Sequence, residues 1–186
     1  MKREASAGVP KLALPMPDRD HIQGSIDAPI ALVEYGDYEC PYCGEAYPIV
    51  KAIQERLSDR LCFAFRNFPL INSHPHAQHA AEAAEAAGAQ GRFWEMHDLL
   101  YENQDALEDE YLARYAATLG LDAEPLIKEV LAGAHTARVR EDFRSGARLG
   151  VNGTPSFFIN GVRYDGATDV EELLSALTEQ PARRAK

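Results

Sequence analysis

The chain has 186 residues, 46% of them hydrophobic, which is enough for one domain of ordinary size or for a domain carrying a sizeable insertion. Its 29 acidic residues against 19 lysines and arginines leave a formal charge of −10, and the summed field of such a chain repels phosphates and anionic lipid, excluding non-specific binding to nucleic acid or to a membrane surface. No run approaches the length of a membrane span. Residues 1–20, interrupted by Pro10, Pro15 and Pro17, lack the apolar core of a secretory signal. Taken as the native start, this implies a cytoplasmic protein whose thiols stay mostly reduced; a processed chain would fit the periplasm equally.

Residues 1–25 are polar and proline-bearing and read as a flexible arm. The first apolar run, residues 29–35, has the pattern of a short strand buried on both faces. Glu34 interrupts it. A carboxylate near the end of such a strand, just beneath two thiols, is suited to relaying a proton, the plain alternative being an acid that faces solvent at an edge.

Cys40 and Cys43 follow at the junction between this strand and a helix. Two thiols three positions apart on the first turn of a helix can close a disulfide without moving the fold. The unpaired N–H groups and positive dipole end there favour the thiolate of Cys40, while Cys43 lies deeper. That asymmetry makes Cys40 the exposed nucleophile and Cys43 the resolving thiol. The dithiol is itself the redox centre, so neither a metal nor an organic cofactor is expected. The spacing also opens many zinc sites, but the remaining cysteine, Cys62, lies in an apolar strand-like run and reads as packing.

Pro41 stands where a helix tolerates proline, and Ala46, Ile49, Val50, Ile53 and Leu57 form one apolar face, with Pro48 placed to kink the helix. Residues 61–68 form the next strand and complete a βαβ unit. From 72 to 150 the pattern is helical throughout, with helices expected near 75–89, 93–100, 110–119, 122–131, where Asp122 is a plausible N-cap, and 135–149. His74, His76 and His79 cluster at the entrance to this block without supporting ligands at metal-binding spacing, and His97 reads as a hydrogen-bonded core histidine. The sheet resumes at 156–160, turns at Gly161 and returns over 162–164, and a last helix covers 170–177. Just before residues 156–160, Thr154-Pro155 stands at a strand start. Held cis, that bond would leave the Thr154 backbone open to an incoming peptide; a trans loop proline is the alternative.

Taken in order, these residues resemble the thioredoxin superfamily, and within it the DsbA-like thiol–disulfide oxidoreductases that carry a helical insertion. The resemblance covers about 25–178 and rests on Cys40-Pro41-Tyr42-Cys43, on Glu34 six positions earlier, and on Phe68-Pro69-Leu70 followed by His74-Pro75. Further on it rests on Gly91-Arg92-Phe93-Trp94 and on the run from Gly150 through Gly153-Thr154-Pro155 to Ile159. It implies an α/β thioredoxin fold with an inserted all-helical domain: 26–71 and 151–180 thioredoxin-like, 72–150 helical, 1–25 an arm and 181–186 a frayed tail. It further implies that Pro155 is the superfamily's cis-proline and that Pro41, Tyr42, Thr154 and Pro155 meet substrate. The expected activity is disulfide exchange with protein thiols and disulfides, recycled by glutathione or a thioredoxin-type partner. Because Pro41-Tyr42 looks like the glutaredoxin dipeptide, a glutathione-dependent enzyme, acting in deglutathionylation or transfer, is the first alternative. A non-catalytic peptide-binding chaperone module is the second.

Overall fold

Every residue of strand β2 (Ile30–Gly36) is buried, and this strand takes the centre of the sheet. Alternation along it divides the interior: Ile30 and Leu32 face a large core shared with the helices, and Val33 and Tyr35 face a smaller cluster with Phe68 and Phe158. The structure, a computed structural model, describes residues 13–180. Helix α1 (Pro41–Leu57) follows β2 and runs unbroken through Pro48, burying Cys43, Ala46, Val50, Ile53 and Leu57. A 3-10 turn (Ser58–Arg60) leads into β3 (Leu61–Asn67), parallel to β2, which completes the expected βαβ unit.

Five helices then form the inserted block: α2 (Ala77–Ala89), α3 (Phe93–Glu102), α4 (Asp109–Thr118), α5 (Ala123–Leu131) and α6 (Thr136–Arg148). Alanine dominates the buried face of α2, which lets neighbouring helices pack close to it. Asp122 stands at the N-cap of α5, but its side chain accepts no cap hydrogen bond. Strands β4 (Ser156–Ile159) and β5 (Val162–Tyr164) form a hairpin through Asn160 and Gly161, both at positive φ, as a two-residue turn of this hand requires. Helix α7 (Val170–Glu179) closes the chain against α1, with Asp169 accepting from the Glu172 N–H. With β1 (His21–Gln23) at one edge, the sheet order is β1-β3-β2-β4-β5, a mixed α/β arrangement in agreement with the expected fold.

Residues 13–25, expected as part of an arm, are built into the fold. From Ala13 onward the chain belongs to the fold: the Ala13 N–H donates to the Gly161 carbonyl at 3.0 Å, and β1 (His21–Gln23) pairs antiparallel with β3. The cause is Arg66. It points from β3 into the smaller core, 3% exposed, and a guanidinium there needs acceptors: Asp20 takes two hydrogen bonds at 3.0 and 2.7 Å, and the Tyr35 hydroxyl and Leu14 carbonyl take one each. Arg19 adds a bond to buried Asp142 on α6 at 2.6 Å. Polar residues that read as solvated loop are therefore partners of buried charge. The expectations drawn from residues 1–12 and 181–186 lie outside the described residues.

Candidate functional site

The strand-to-helix junction aims both thiols at one point. Cys40 is the N-cap of α1, with extended backbone angles, and Pro41 occupies the first helical position, where its missing N–H costs nothing. Cys43 lies one turn in and is fully buried; both cysteines are unbridged thiols. The Thr154–Pro155 bond is cis, and the Thr154 carbonyl oxygen lies 3.4 Å from Cys40 Sγ. The buried Thr154 hydroxyl beside it makes no other protein hydrogen bond and is the Thr154 group that acts on the Cys40 sulfur. Pro41 is exposed and Tyr42 is 69% exposed, so they border the approach to the sulfur, and Thr154 and Pro155 are half-buried on its other side.

Cys40 itself corrects the expectation of an exposed nucleophile: the residue is only 3% exposed. Its sulfur lies under the Thr154 segment, and Gln104, from the turn after α3, donates its amide to the carbonyls of Tyr38 and Cys40 at 2.8 and 2.9 Å. A side chain at Gly44 would collide with that amide, so the glycine leaves room for the clasp.

The two thiols differ sharply in acidity. Cys40 is lowered from 9.0 to about 5, chiefly by a hydrogen bond from the Cys43 thiol; burial opposes this, and Thr154 and the N–H groups of Cys43 and Tyr42 reinforce it. Cys43 is pushed well above 9.0 by burial, by that same hydrogen bond to Cys40, and by the charges of Glu34 and Cys40, against a weak contact from the Asp37 N–H at 3.5 Å. Near neutral pH the pair is one thiolate and one thiol. Glu34 is 3% exposed on the α1 side of the sheet, and burial, followed by the Cys40 charge, raises it from 4.5 to about 8. The alternative of an acid facing solvent at an edge is thereby replaced by a buried acid that titrates in the physiological range.

Asp37 went unnoticed in the sequence and organises the loop. Its carboxylate, 1% exposed, accepts the N–H groups of Glu39 and Leu70, each at 2.8 Å, and the His74 ring nitrogen at 2.8 Å. The histidines at the entrance to the insertion each meet their own acid: His74 meets Asp37, His76 meets Glu39 at 2.9 Å, and His79 meets Asp109 at 2.6 Å. Burial lowers His74, and the Asp37 hydrogen bond together with the charges of Asp37, Cys40 and Glu39 outweighs it, so its net shift is upward. His97 is buried among aromatic rings, bonds the Tyr38 hydroxyl at 3.0 Å, and is lowered to about 3, which keeps it neutral as the sequence reading expected of a core histidine. Cys62 is buried in the sheet. Nothing in the sequence marked Gln104, because its partners are backbone carbonyls more than sixty residues away.

Known proteins match this architecture along most of the chain. A family model described as thioredoxin covers residues 17–179. The crystal structure of a thioredoxin-like oxidoreductase from Silicibacter pomeroyi superposes with a TM-score of 0.76 at 28% identity, covering 88% of this chain and 92% of that one. Oxidised BdbD from Bacillus subtilis gives a TM-score of 0.80 at 23% identity over 90% of this chain and 96% of its own. Alpha-DsbA1 of Wolbachia pipientis gives 0.77 at 22% identity, with 89% and 92% coverage. Among curated proteins, a sodium–proton antiporter NhaA of Salinispora arenicola is 46% identical over 176 residues, which is 93% of this chain but 26% of that protein. The chain thus spans about a quarter of the length of such relatives, and among the described residues no helix is long and apolar enough to cross a membrane. With the family match running almost from end to end, the chain belongs to the thioredoxin family, and the helical block set between β3 and β4 gives it the fold of alpha-DsbA1.

Proposed function

We propose that this domain exchanges a disulfide between its Cys40–Cys43 pair and the cysteines of protein substrates, and that it favours donating the bond. The observation that carries the reading is the split acidity of two thiols on one helix turn: Cys40 lowered to about 5 and Cys43 raised far above it. A reactive thiolate beside a protected resolving thiol is what a mixed-disulfide mechanism requires. A thiolate near 5 lies between the value of about 7 in thioredoxin and about 3.5 in strongly oxidising members, and stabilising the reduced form makes the disulfide the better oxidant.

In the oxidising direction a substrate thiolate attacks Cys40 Sγ of the internal disulfide, and Cys43 leaves as a thiolate that takes up a proton. A second substrate thiolate then attacks the mixed disulfide and releases Cys40 as its stabilised thiolate. In reverse, Cys43 resolves the mixed disulfide by attacking Cys40 and expelling the substrate sulfur. Joining Cys40 to substrate removes its negative charge, which is one cause of the raised values of both Cys43 and Glu34. Both groups then become easier to ionise, and Glu34 accepts the Cys43 proton as that thiol attacks. Pro41, Tyr42, Thr154 and Pro155 contact the substrate around the sulfur. Glutathione or a thioredoxin-type protein would reset the pair at the same Cys40 sulfur. The exchange is assigned to this domain alone, independently of the other three quarters of the antiporter relatives.

The test is a pair of substitutions. Cys40→Ser abolishes insulin reduction and disulfide transfer, and Cys43→Ala accumulates covalent mixed disulfides; a Cys40→Ser protein working at the wild-type rate overturns the proposal. Direction is read from the equilibrium with graded glutathione buffers, where a potential well above thioredoxin's value of about −270 mV is expected.

A further inference from the structure

Beside the redox loop, outside the cleft formed by Cys40 and Thr154–Pro155, lies a groove of about 520 Å³ between the β3–α2 connection and α6. Its apolar lining is Pro69, Ile71, buried Val139 and Phe143, the last stacked on Phe68 with ring centroids 4.2 Å apart, and Gln78 and Thr136 complete the wall. Ile71 is 61% exposed and Phe143 37%, so two of the six exposed large apolar side chains among the described residues share this one groove. Arg140 and Arg144 line it one helical turn apart. Neighbouring arginines are engaged: Arg138 binds Asp142 at 2.6 Å and Arg19 binds Asp142 and Glu141. Arg140 and Arg144 form no ion pair among the described residues, although the chain carries a net charge of −10. Two like charges at i and i+4 repel each other, so this placement is mildly unfavourable in the free protein and is relieved by an anion. The groove is tied to the site: the Phe68 N–H donates to the Gly36 carbonyl at 2.7 Å, and Leu70, between Pro69 and Ile71, donates to the Asp37 carboxylate.

We propose that this groove docks an extended segment of the protein substrate in which an apolar side chain is followed by carboxylates, close in sequence to the reacting cysteine. The apolar residue packs between Ile71 and Phe143, and the carboxylates pair with Arg140 and Arg144. The chain's overall charge repels acidic partners, so the arginine pair selects those that present carboxylates at this position. The proposal rests on the disulfide-exchange reading and names the substrate class of that site.

The test uses peptides whose cysteine is joined to an aromatic thiol and separated by about four to eight residues from a Leu-Asp-Asp or a Leu-Lys-Lys segment. The Cys40 thiolate attacks the peptide sulfur, the peptide–aryl disulfide breaks, and the aryl thiolate that leaves is coloured. In a single turnover, where reduced protein becomes the Cys40–Cys43 disulfide as the peptide thiolate leaves, wild type should favour the acidic peptide by about tenfold in second-order rate constant, with the advantage shrinking as salt is added. The Arg140→Glu, Arg144→Glu double variant should lose or reverse that preference while consuming a small aromatic disulfide at the wild-type rate. Equal rates for both peptides, or a preference that survives the double variant, overturn the proposal. Direct binding of the acidic peptide to Cys40→Ser protein, read by fluorescence anisotropy, separates the two readings: binding without exchange sinks the activity and leaves the groove. Loss of self-association in the double variant, or wild-type binding to anionic vesicles in place of peptide, also overturns it.

Discussion

Replacing Glu34 by glutamine removes a titrating carboxyl while keeping its size, and the structure sets the expected size of the effect. The folded value of about 8 against an ordinary 4.5 means that the folded protein keeps a proton the unfolded chain has lost. Stability from this group is full below pH 4.5 and falls as pH rises, by about 1.4 kcal/mol per unit, until the folded group ionises near pH 8. Between pH 4.5 and pH 7 the accumulated loss is about 3 kcal/mol, and glutamine has no such slope. Urea unfolding of reduced wild type and Glu34→Gln should therefore show a difference that moves by about 3 kcal/mol in favour of the variant over that interval. In a Cys40→Ala background the swing should shrink, because the Cys40 charge is the second cause of the raised value. The same substitution should slow resolution, so that mixed disulfides persist. A stability difference independent of pH would refute the assignment of Glu34 as a buried acid with a displaced titration.

Other substitutions probe the remaining parts. Alkylation of Cys40 should titrate with an apparent value of about 5, and Cys43→Ala should move it upward, because the Cys43 hydrogen bond is the largest cause of the lowering; an unshifted profile in the variant would refute that. Asp37→Ala strands three donors around a buried position and should cost roughly 3 kcal/mol in denaturant unfolding, whereas a loss below about 1 kcal/mol would mean the loop finds other acceptors. Tyr101→Phe deletes a buried hydroxyl that has no protein partner, so stability should hold or rise by up to about 1 kcal/mol with unchanged turnover; a marked loss would show that the hydroxyl is engaged.

Much of the site was legible because its logic is local. A strand, a pair of thiols three residues apart and a helix that begins between them define the chemistry within a dozen residues, and the alternation of β2 places Glu34 on the same face as Ile30 and Leu32, under α1. The helices of the insertion were readable from periodicity, with ends that moved by one or two residues. The polar segment before β2 was misread for a physical reason: hydropathy records what a side chain prefers in water, and Asp20 and Arg19 are held by charges on β3 and α6.

By itself, then, the amino-acid sequence determined the pair of thiols at the helix start, the mixed α/β frame and the helical block, since each depends on residue spacings within one element. Tertiary structure alone decided how deeply Cys40 lies, that Gln104 holds the turn carrying it, that Asp37 joins the loop before α1 to the start of the insertion, and that Arg140 and Arg144 face a groove. Each of these is a contact between residues far apart in the chain, and the sidedness and partner of a polar group are set only once the elements have packed.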